Sequence, residues 1–211
     1  MIKTIIFDFN GTLLDDLQIN FNIFNLLAKD FNAPKITIEK YREEFDFPVK
    51  DVYRKLGFDV DDGKFVIIAE RFHEYYNSLV YDNCKIFDSA IKILKELKGK
   101  YKLVCLSATN KKTLDEQLKH YNIYDYFDSV VGESNKYANG KVELGKSWIK
   151  ESKIKTDEAI FIGDTVHDYA VSIAMNVKPI LITTGHNSRA KLERTNAIVI
   201  DDLEEIKAYL D

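Results

Sequence analysis

The sequence predicts an α/β fold: a Rossmann-like parallel sheet with helices on both faces, interrupted by an inserted block of helices. Three observations carry that prediction. The stretch Ile5-Ile6-Phe7 is apolar at consecutive positions, as a strand covered on both faces is. From Cys84 onward, short apolar strands alternate with segments of helical period, the βαβα order that builds a parallel sheet. Between about residue 16 and residue 82, helical spacing and turns recur without a clear strand, so that block reads as a helical insert.

The first strand ends abruptly in Asp8-Phe9-Asn10-Gly11-Thr12, where Gly11 frees the backbone to turn. Leu17, Phe21, Phe24 and Leu27-Ala28 recur three or four apart and predict an amphipathic helix. Pro34 and Pro48 interrupt, with Tyr41 to Phe45 as a short helix between them. Val49 to Leu56 predicts another short helix closed by Gly57, and Lys64 to Tyr76 a longer one. Past Cys84 come a helix over Phe87 to Leu97, ending at Gly99, and a second buried strand at Leu103 to Leu106. Cys105, inside that strand, suits a small core residue. Thr113 to His120 predicts a helix, Val130-Val131 the centre of a third strand, Glu133 to Gly140 a polar loop, and Val142 to Ser152 a helix with Trp148 facing the core. Ala159 to Ile162 and Pro179 to Ile182 predict the fourth and fifth strands, with a helix over Tyr169 to Met175 between them. Ala197 to Ile200 adds an edge strand and Leu203 to Leu210 a last helix.

Composition narrows the function classes. The 211 residues are 45% hydrophobic and 30% charged, as in ordinary globular protein and unlike disordered or membrane chains. A formal net charge of -4 argues against nucleic acid or an anionic membrane as partner. No apolar run reaches the length of a membrane span, and Met1-Ile2-Lys3-Thr4 leads into the first strand without the apolar region of a signal peptide. Cys84 and Cys105 are too few for a disulfide framework, so a cytoplasmic location is expected. No coiled-coil heptad directs self-association.

Four polar stations fall at the carboxyl ends of successive predicted strands: Asp8 with Asn10 and Thr12, then Ser107, then Lys141 ahead of a helix, then Gly163-Asp164 with Asp168. In an open parallel sheet such positions share one crevice. Their chemistry suits phosphoryl transfer. Asp8 and Asp164 could hold Mg²⁺, a hard cation taken up by a few carboxylates, water and substrate phosphate. A free oxygen of Asp8 could attack phosphorus. Ser107 and nearby backbone N–H groups could bind phosphoryl oxygens, and Lys141 supplies positive charge.

The segments Asp8-Phe9-Asn10-Gly11-Thr12-Leu13-Leu14-Asp15 and Gly163-Asp164-Thr165-Val166-His167-Asp168, with Ser107 and Lys141 between them, resemble the four motifs of the haloacid dehalogenase superfamily. The helices inserted after the first motif resemble the cap of its phosphoglycolate phosphatase-like branch. The resemblance implies a Rossmann-like core over 1–15 and 83–211 and a helical cap over 16–82. It also implies an Asp8 nucleophile and Mg²⁺ held by Asp8, the main-chain carbonyl of Asn10 and Asp164. Phosphate contacts would come from Thr12, Ser107, Ala108 and Lys141, and Asp168 would orient water or Lys141. The implied substrate is a small phosphorylated metabolite, with phosphoglycolate one candidate by branch.

Asn10 departs from the family pattern, which places aspartate two residues after the nucleophile. An amide cannot give a proton to the leaving alcohol or later activate water, and losing a general acid/base costs about 10²–10⁴ in rate. Weak activity is therefore expected, or activity confined to good leaving groups, unless Asp15, Asp16, His73, Tyr75 or Tyr76 substitutes. Two other hydrolytic readings compete: a metal-free haloalkanoate dehalogenase, and a phosphonate hydrolase using Lys50 or Lys55. A further alternative is a non-catalytic phosphate-binding or regulatory protein. Plainer roles compete as well. Ser107 could cap the following helix, Asp168 could cap its own, and Lys146 rivals Lys141. His167 and His186 read as solvent-facing loop residues, and the Phe and Tyr stripe of the insert reads as core.

Overall fold

The computed structural model describes residues 1–133 and 140–210. Its strands are β1 (Thr4–Phe7), β2 (Leu14–Asp15), β3 (Lys85–Ile86), β4 (Lys102–Asn110), β5 (Ser129–Glu133), β6 (Ala159–Gly163), β7 (Lys178–Ile182) and β8 (Ile198–Ile200). The α-helices are α1 (Leu17–Asp30), α2 (Ile38–Glu44), α3 (Val49–Lys55), α4 (Asp62–Asn83), α5 (Asp88–Leu97), α6 (Lys111–His120), α7 (Gly140–Ser152), α8 (Val166–Ala174) and α9 (Arg189–Leu192). Six strands form one sheet in the order β5-β4-β1-β6-β7-β8, and every neighbouring pair is parallel.

The register places the strand ends together. Phe7 pairs with Cys105 on one side and with Ile162 on the other, so Asp8, Ser107 and Asp164 emerge at one edge of the sheet. Side chains of β1 alternate between two apolar clusters. Ile5 and Phe7 pack with Leu103, Cys105, Ile160 and α5, while Ile6 packs with Val104, Phe161, Val171 and Met175 on the opposite face. A strand apolar at every position buries both faces this way. Trp148 of α7 is half-buried against the second cluster.

Helices α1 to α4 follow one another between β2 and β3 and share a third cluster of Ile23, Phe24, Leu27, Tyr41, Val52, Tyr53 and Ile68. The chain passes from sheet to helices and back through β2 and β3, which pair antiparallel, Leu14 with Ile86 and Asp15 with Lys85. Strands of two residues leave no periodic trace, and the sequence predicts neither. A polar clasp joins α2 to the region after β7. Arg42 donates to the carbonyls of Thr183 at 2.7 Å and Asn187 at 2.8 Å, and Lys191 to those of Glu43 at 2.8 Å and Phe45 at 2.7 Å.

Several elements differ from expectation. Helix α4 begins where Asp61 accepts from the Lys64 N–H and runs past Tyr76 to Asn83, because Tyr76 and fully buried Val80 continue the packed face. Helix α8 starts three residues before the expected Tyr169, set by a capping box between Thr165 and Asp168. Segment Leu203–Tyr209 winds as a 3₁₀ helix, in which Leu203 and Ile206, three apart, lie over one another and both bury. Of the expected loop from Glu133 to Gly140, residues 134–139 lie outside the described residues. Among the described residues, no helix is long and apolar enough to cross a membrane.

Candidate active site

Asp8 follows β1, its N–H bonded to the Ile162 carbonyl at 2.8 Å. The chain then turns at Gly11, whose φ is 71° and whose N–H donates to Asp16 Oδ1 at 2.9 Å. A side chain at Gly11 or Gly185 would collide with the Asp164 carboxylate, so close approach of backbone requires glycine at both. Asp164, fully buried, accepts from the His186 N–H at 2.6 Å and the Thr12 hydroxyl at 3.2 Å. Asp168 Oδ2 accepts from the Asp164 and Thr165 N–H groups at 3.1 and 3.0 Å, and from the Thr165 hydroxyl at 2.6 Å.

Lys141, the second residue of α7, bonds Asp8 Oδ1 and reaches Asp168 Oδ1 at 2.5 Å. Lys146 instead faces solvent and pairs with Glu143 at 2.8 Å. Ser107 is buried near the end of β4 and accepts from the Thr109 N–H at 3.1 Å. It does not cap α6; Asn110 does. Asp168 serves both readings at once, as a capping residue of α8 and as a partner of Lys141.

Asp8, Asp164 and Asp168 each offer a carboxylate oxygen within 4.8 Å of the others, all three buried. Burial pushes the Asp8 carboxyl well up, with Asp168 and Asp164 adding to it, and Lys141 only partly offsets the rise. Burial likewise lifts Asp164, to about 6, against the pull of His186. Burial opposes charge on Lys141 too, but Asp168 and Asp8 keep it protonated. Asp168 is held ionised against burial by Lys141 and Thr165. Negative charge therefore exceeds positive among these groups, and the donor set is all oxygen, which fits a hard divalent cation between Asp8 and Asp164.

Asn10 sits in a network of its own. Its amide donates to Asp16 Oδ2 at 2.8 Å and to the Tyr76 hydroxyl at 2.7 Å, while its carbonyl accepts from the Thr109 hydroxyl at 3.2 Å. Behind it, buried Asp16 lies 3.3 Å from His186 Nε2 and accepts from Asn20 at 2.8 Å. Burial opposes the Asp16 charge, yet His186, Asn10 and Tyr76 hold that carboxyl below its usual range. His186 is buried rather than solvent-facing, with Nδ1 2.9 Å from the Tyr41 hydroxyl. Burial pushes its imidazole down, but Asp16 and Asp164 raise it to about 9. The sequence carried one signal for this histidine: Thr183-Thr184-Gly185-His186 follows β7 at the same sheet edge as the other stations.

These groups border a cavity of about 520 Å³ between the sheet edge and the inserted helices. Asp8, Asn10, Ser107, Ala108, Lys141, Asp164 and Asp168 supply its polar lining. Rings from the insert, including Phe45, Phe47, Phe65, Phe72 and Tyr76, line it as well, with Tyr76 bonded to Asn10 and Phe45 4.9 Å from the His186 ring, so the aromatic stripe is divided between core and cavity. His167 also lines the cavity, half-buried and stacked on Phe47 at 4.3 Å, instead of lying in a solvent-facing loop. Thr12, expected to touch phosphate, is fully buried away from the cavity because its hydroxyl is spent on Asp164. Of the proposed substitute acids, Asp16, His73 and Tyr76 line the cavity. Tyr75 instead bonds Asp30 at 2.6 Å, and Asp15 borders a separate hollow with Asp82 and Lys85. Lys50 and Lys55 pair with Asp62 and Glu44 and do not line the cavity.

A parallel sheet whose strand ends gather buried acids and a lysine, with helices inserted after its first strand, defines a Rossmann-like α/β protein with a charged crevice at the sheet edge. The chain belongs to the haloacid dehalogenase-like hydrolase family, whose sequence model matches residues 5–182. It is similar to the pyrophosphatase PpaX of Bacillus mycoides, 20% identical over 99% of this chain and 97% of that one. Among solved structures, it resembles a haloacid dehalogenase-like family hydrolase from Streptococcus pneumoniae, with a TM-score of 0.84, 22% identity, and coverage of 99% of this chain and 98% of that one. A predicted phosphoglycolate phosphatase from Haemophilus somnus is similar at TM-score 0.79 and 17% identity, covering 100% of this chain and 98% of the other.

Proposed function

We propose that the protein is a Mg²⁺-dependent phosphatase that hydrolyses a phosphate monoester through an aspartyl-phosphate on Asp8. The observation that carries this reading is the convergence of three buried carboxylates and Lys141 on one cavity. The ion would be held by Asp8, the Asn10 main-chain carbonyl and Asp164. Mg²⁺ bound there would neutralise charge on the phosphoryl oxygens.

The chain's own groups divide the work. An Asp8 carboxylate oxygen attacks phosphorus as the ester P–O bond breaks, and its electrons leave with the alcohol oxygen. Lys141 balances charge beside Asp8, with Asp168 fixing its position. Ser107 and the backbone at Ala108 bind phosphoryl oxygens. Water then attacks the acyl phosphate, releasing phosphate and restoring Asp8. Asn10 gives no proton to the departing oxygen, and Asp16 behind it is held ionised, so neither of these two serves as the general acid. Residues 1–15 and 83–210 act as the catalytic core and 16–82 as the cap that excludes water. The buried, unpaired Cys84 and Cys105 suit the cytoplasmic setting expected from the sequence.

Turnover of p-nitrophenyl phosphate that requires Mg²⁺ and vanishes in Asp8→Asn is the expected result; equal turnover by that variant ends the reading. Asn10 favours a second reading, a phosphate-binding protein without turnover. Stabilisation by beryllium fluoride and Mg²⁺ in the absence of any hydrolysis would select it. The dehalogenase reading loses support from Asp164 and Asp168, which set a buried acid cluster where an apolar halide site would lie.

A further inference from the structure

We infer that the substrate is the phosphate monoester of a flat aromatic alcohol, its ring held among the cap aromatics while its phosphate meets Asp8. The inference rests on the phosphatase reading and narrows it to a substrate class. Two independent observations point the same way, one from the cavity and one from the reacting centre.

The cavity continues well beyond what a phosphate group occupies, and much of its wall is aromatic. Phe72 and Tyr76 lie nearly parallel, 15° apart, on successive turns of α4, and Phe65 borders the cavity from the same helix. Phe45 and Phe47 close it from the stretch between α2 and α3, with Phe47 stacked against His167 of the core. Rings placed this way offer faces and edges to a planar group. Among the described residues, Lys141 is the only lysine or arginine lining the cavity, and it is already engaged by Asp8 and Asp168. A substrate with a second anionic group, such as pyrophosphate or phosphoglycolate, would set that charge against aromatic carbon where, among the described residues, no second lysine or arginine meets it, which is unfavourable. Asn20, His73 and Asn77 line the same space and can meet polar substituents on a ring.

The reacting centre sets a matching limit. Position 10 holds an amide committed to Asp16 and Tyr76, so the residue two places after the nucleophile gives the leaving oxygen no proton as it departs with the bonding electrons. An aryl oxide tolerates this, because a phenol titrates near about 10, as tyrosine does. An aliphatic alkoxide does not, since its parent alcohol is nearly as weak an acid as water. The aryloxide formed when Asp8 takes the phosphoryl group is protonated later by solvent, and water regenerates Asp8 and phosphate.

Binding in the Asp8→Asn variant separates recognition from leaving-group chemistry. With Mg²⁺ present, 1-naphthyl phosphate should bind that variant at least tenfold more tightly than inorganic phosphate or phosphoglycolate, by titration calorimetry on the full chain. In the active protein, Phe47→Ala and Phe72→Ala should each lower kcat/KM for 1-naphthyl phosphate about tenfold, as loss of one ring stack does, and should lower its ratio to that for acetyl phosphate. Phe47 is 37% exposed, so its truncation leaves the packed interior in place. Equal affinity for the three ligands, or an unchanged kcat/KM ratio in both variants, overturns the aromatic assignment. Overturned that way, with acetyl phosphate still hydrolysed, the phosphatase reading stands. Failure to hydrolyse acetyl phosphate, p-nitrophenyl phosphate and 1-naphthyl phosphate removes the phosphatase reading and this inference with it.

Discussion

The two ends of the cavity are built on opposite terms. At the sheet edge, charged groups are almost fully buried, and each is fixed by short hydrogen bonds to main chain or to another charge. Across the cavity, the inserted helices contribute uncharged rings that are half-buried and touch one another mainly by packing. The first arrangement tolerates little displacement, because a buried charge that loses its partner is costly. The second tolerates much, because aromatic surfaces exchange partners with modest change in energy. Strand register thus fixes the charged groups, while the helical wall meets them through a few bonds, such as those of Tyr76 to Asn10 and Tyr41 to His186.

That contrast breaks most sharply at the nucleophile. Asp8→Asn keeps the size and most of the polarity of the side chain but removes the attacking charge. Activity on p-nitrophenyl phosphate should fall by about 10⁴-fold or more, with the fold intact by circular dichroism. A residual rate within tenfold of the parent would move the chemistry elsewhere. Gly185→Ala sharpens the same point without touching a charge. The new methyl group would collide with Asp164, and a displacement of this kind near reacting groups costs on the order of 10²-fold. The thermal stabilisation that the parent gains from Mg²⁺ should shrink in parallel, since binding to the native state alone raises stability. Parent-like Mg²⁺ stabilisation in that variant would separate Asp164 from the ion.

Asn10→Asp tests whether the unusual amide limits the rate. Its Nδ2 now faces Asp16 Oδ2 at 2.8 Å, and a carboxyl at that distance would share one proton with Asp16. A group kept protonated there is suited to donate to a leaving alcohol. Turnover of an alkyl phosphate such as glycerol phosphate should rise by about 10- to 100-fold, toward the lower end of what general acid catalysis contributes. Aryl phosphate should gain far less. Equal gains on both substrates, or none on the alkyl ester, would count against the proton as the missing element.

The contrast between the two ends also explains what the sequence could reveal. Strands β1 and β6, and the Leu103 to Leu106 stretch of β4, are apolar because both faces are covered, so the positions that follow these runs, Asp8, Ser107 and Asp164, were readable. Lys141 was readable only as one of two candidate lysines, with Lys146 its rival; burial separates the two. The pairing of Asp16 with His186 joins distant segments through a folded turn, and no spacing rule reports it. Phe24 and Phe72 look alike in sequence, yet Phe24 is almost fully buried while Phe72 is partly exposed. How much of an aromatic on a helix stays open to a cavity depends on what the facing element leaves uncovered, since both rings border the same space. The strands β2 and β3 are too short to show a period.

The smallest expected effect concerns the clasp between the two regions. Arg42, half-buried on α2, donates from one nitrogen to the carbonyls of Thr183 and Asn187, in the stretch that also carries His186 to Asp164. Arg42→Ala leaves both carbonyls to find water, and a hydrogen bond involving a charged group is worth about 1.5–3 kcal/mol. Part of that loss is recovered because Lys191 still bridges α9 to Glu43 and Phe45, so a net loss of about 1–2 kcal/mol is expected. For a chain of this size, that corresponds to a Tm lower by roughly 2–8 °C. Since the clasp lies beside the aromatic wall and the catalytic acids keep their own bonds, KM for an aryl phosphate should rise a few-fold while kcat changes by less than about twofold. A fall in kcat larger than the rise in KM would show instead that the clasp positions Asp164 through His186, and that the two regions are not as independent as their construction implies.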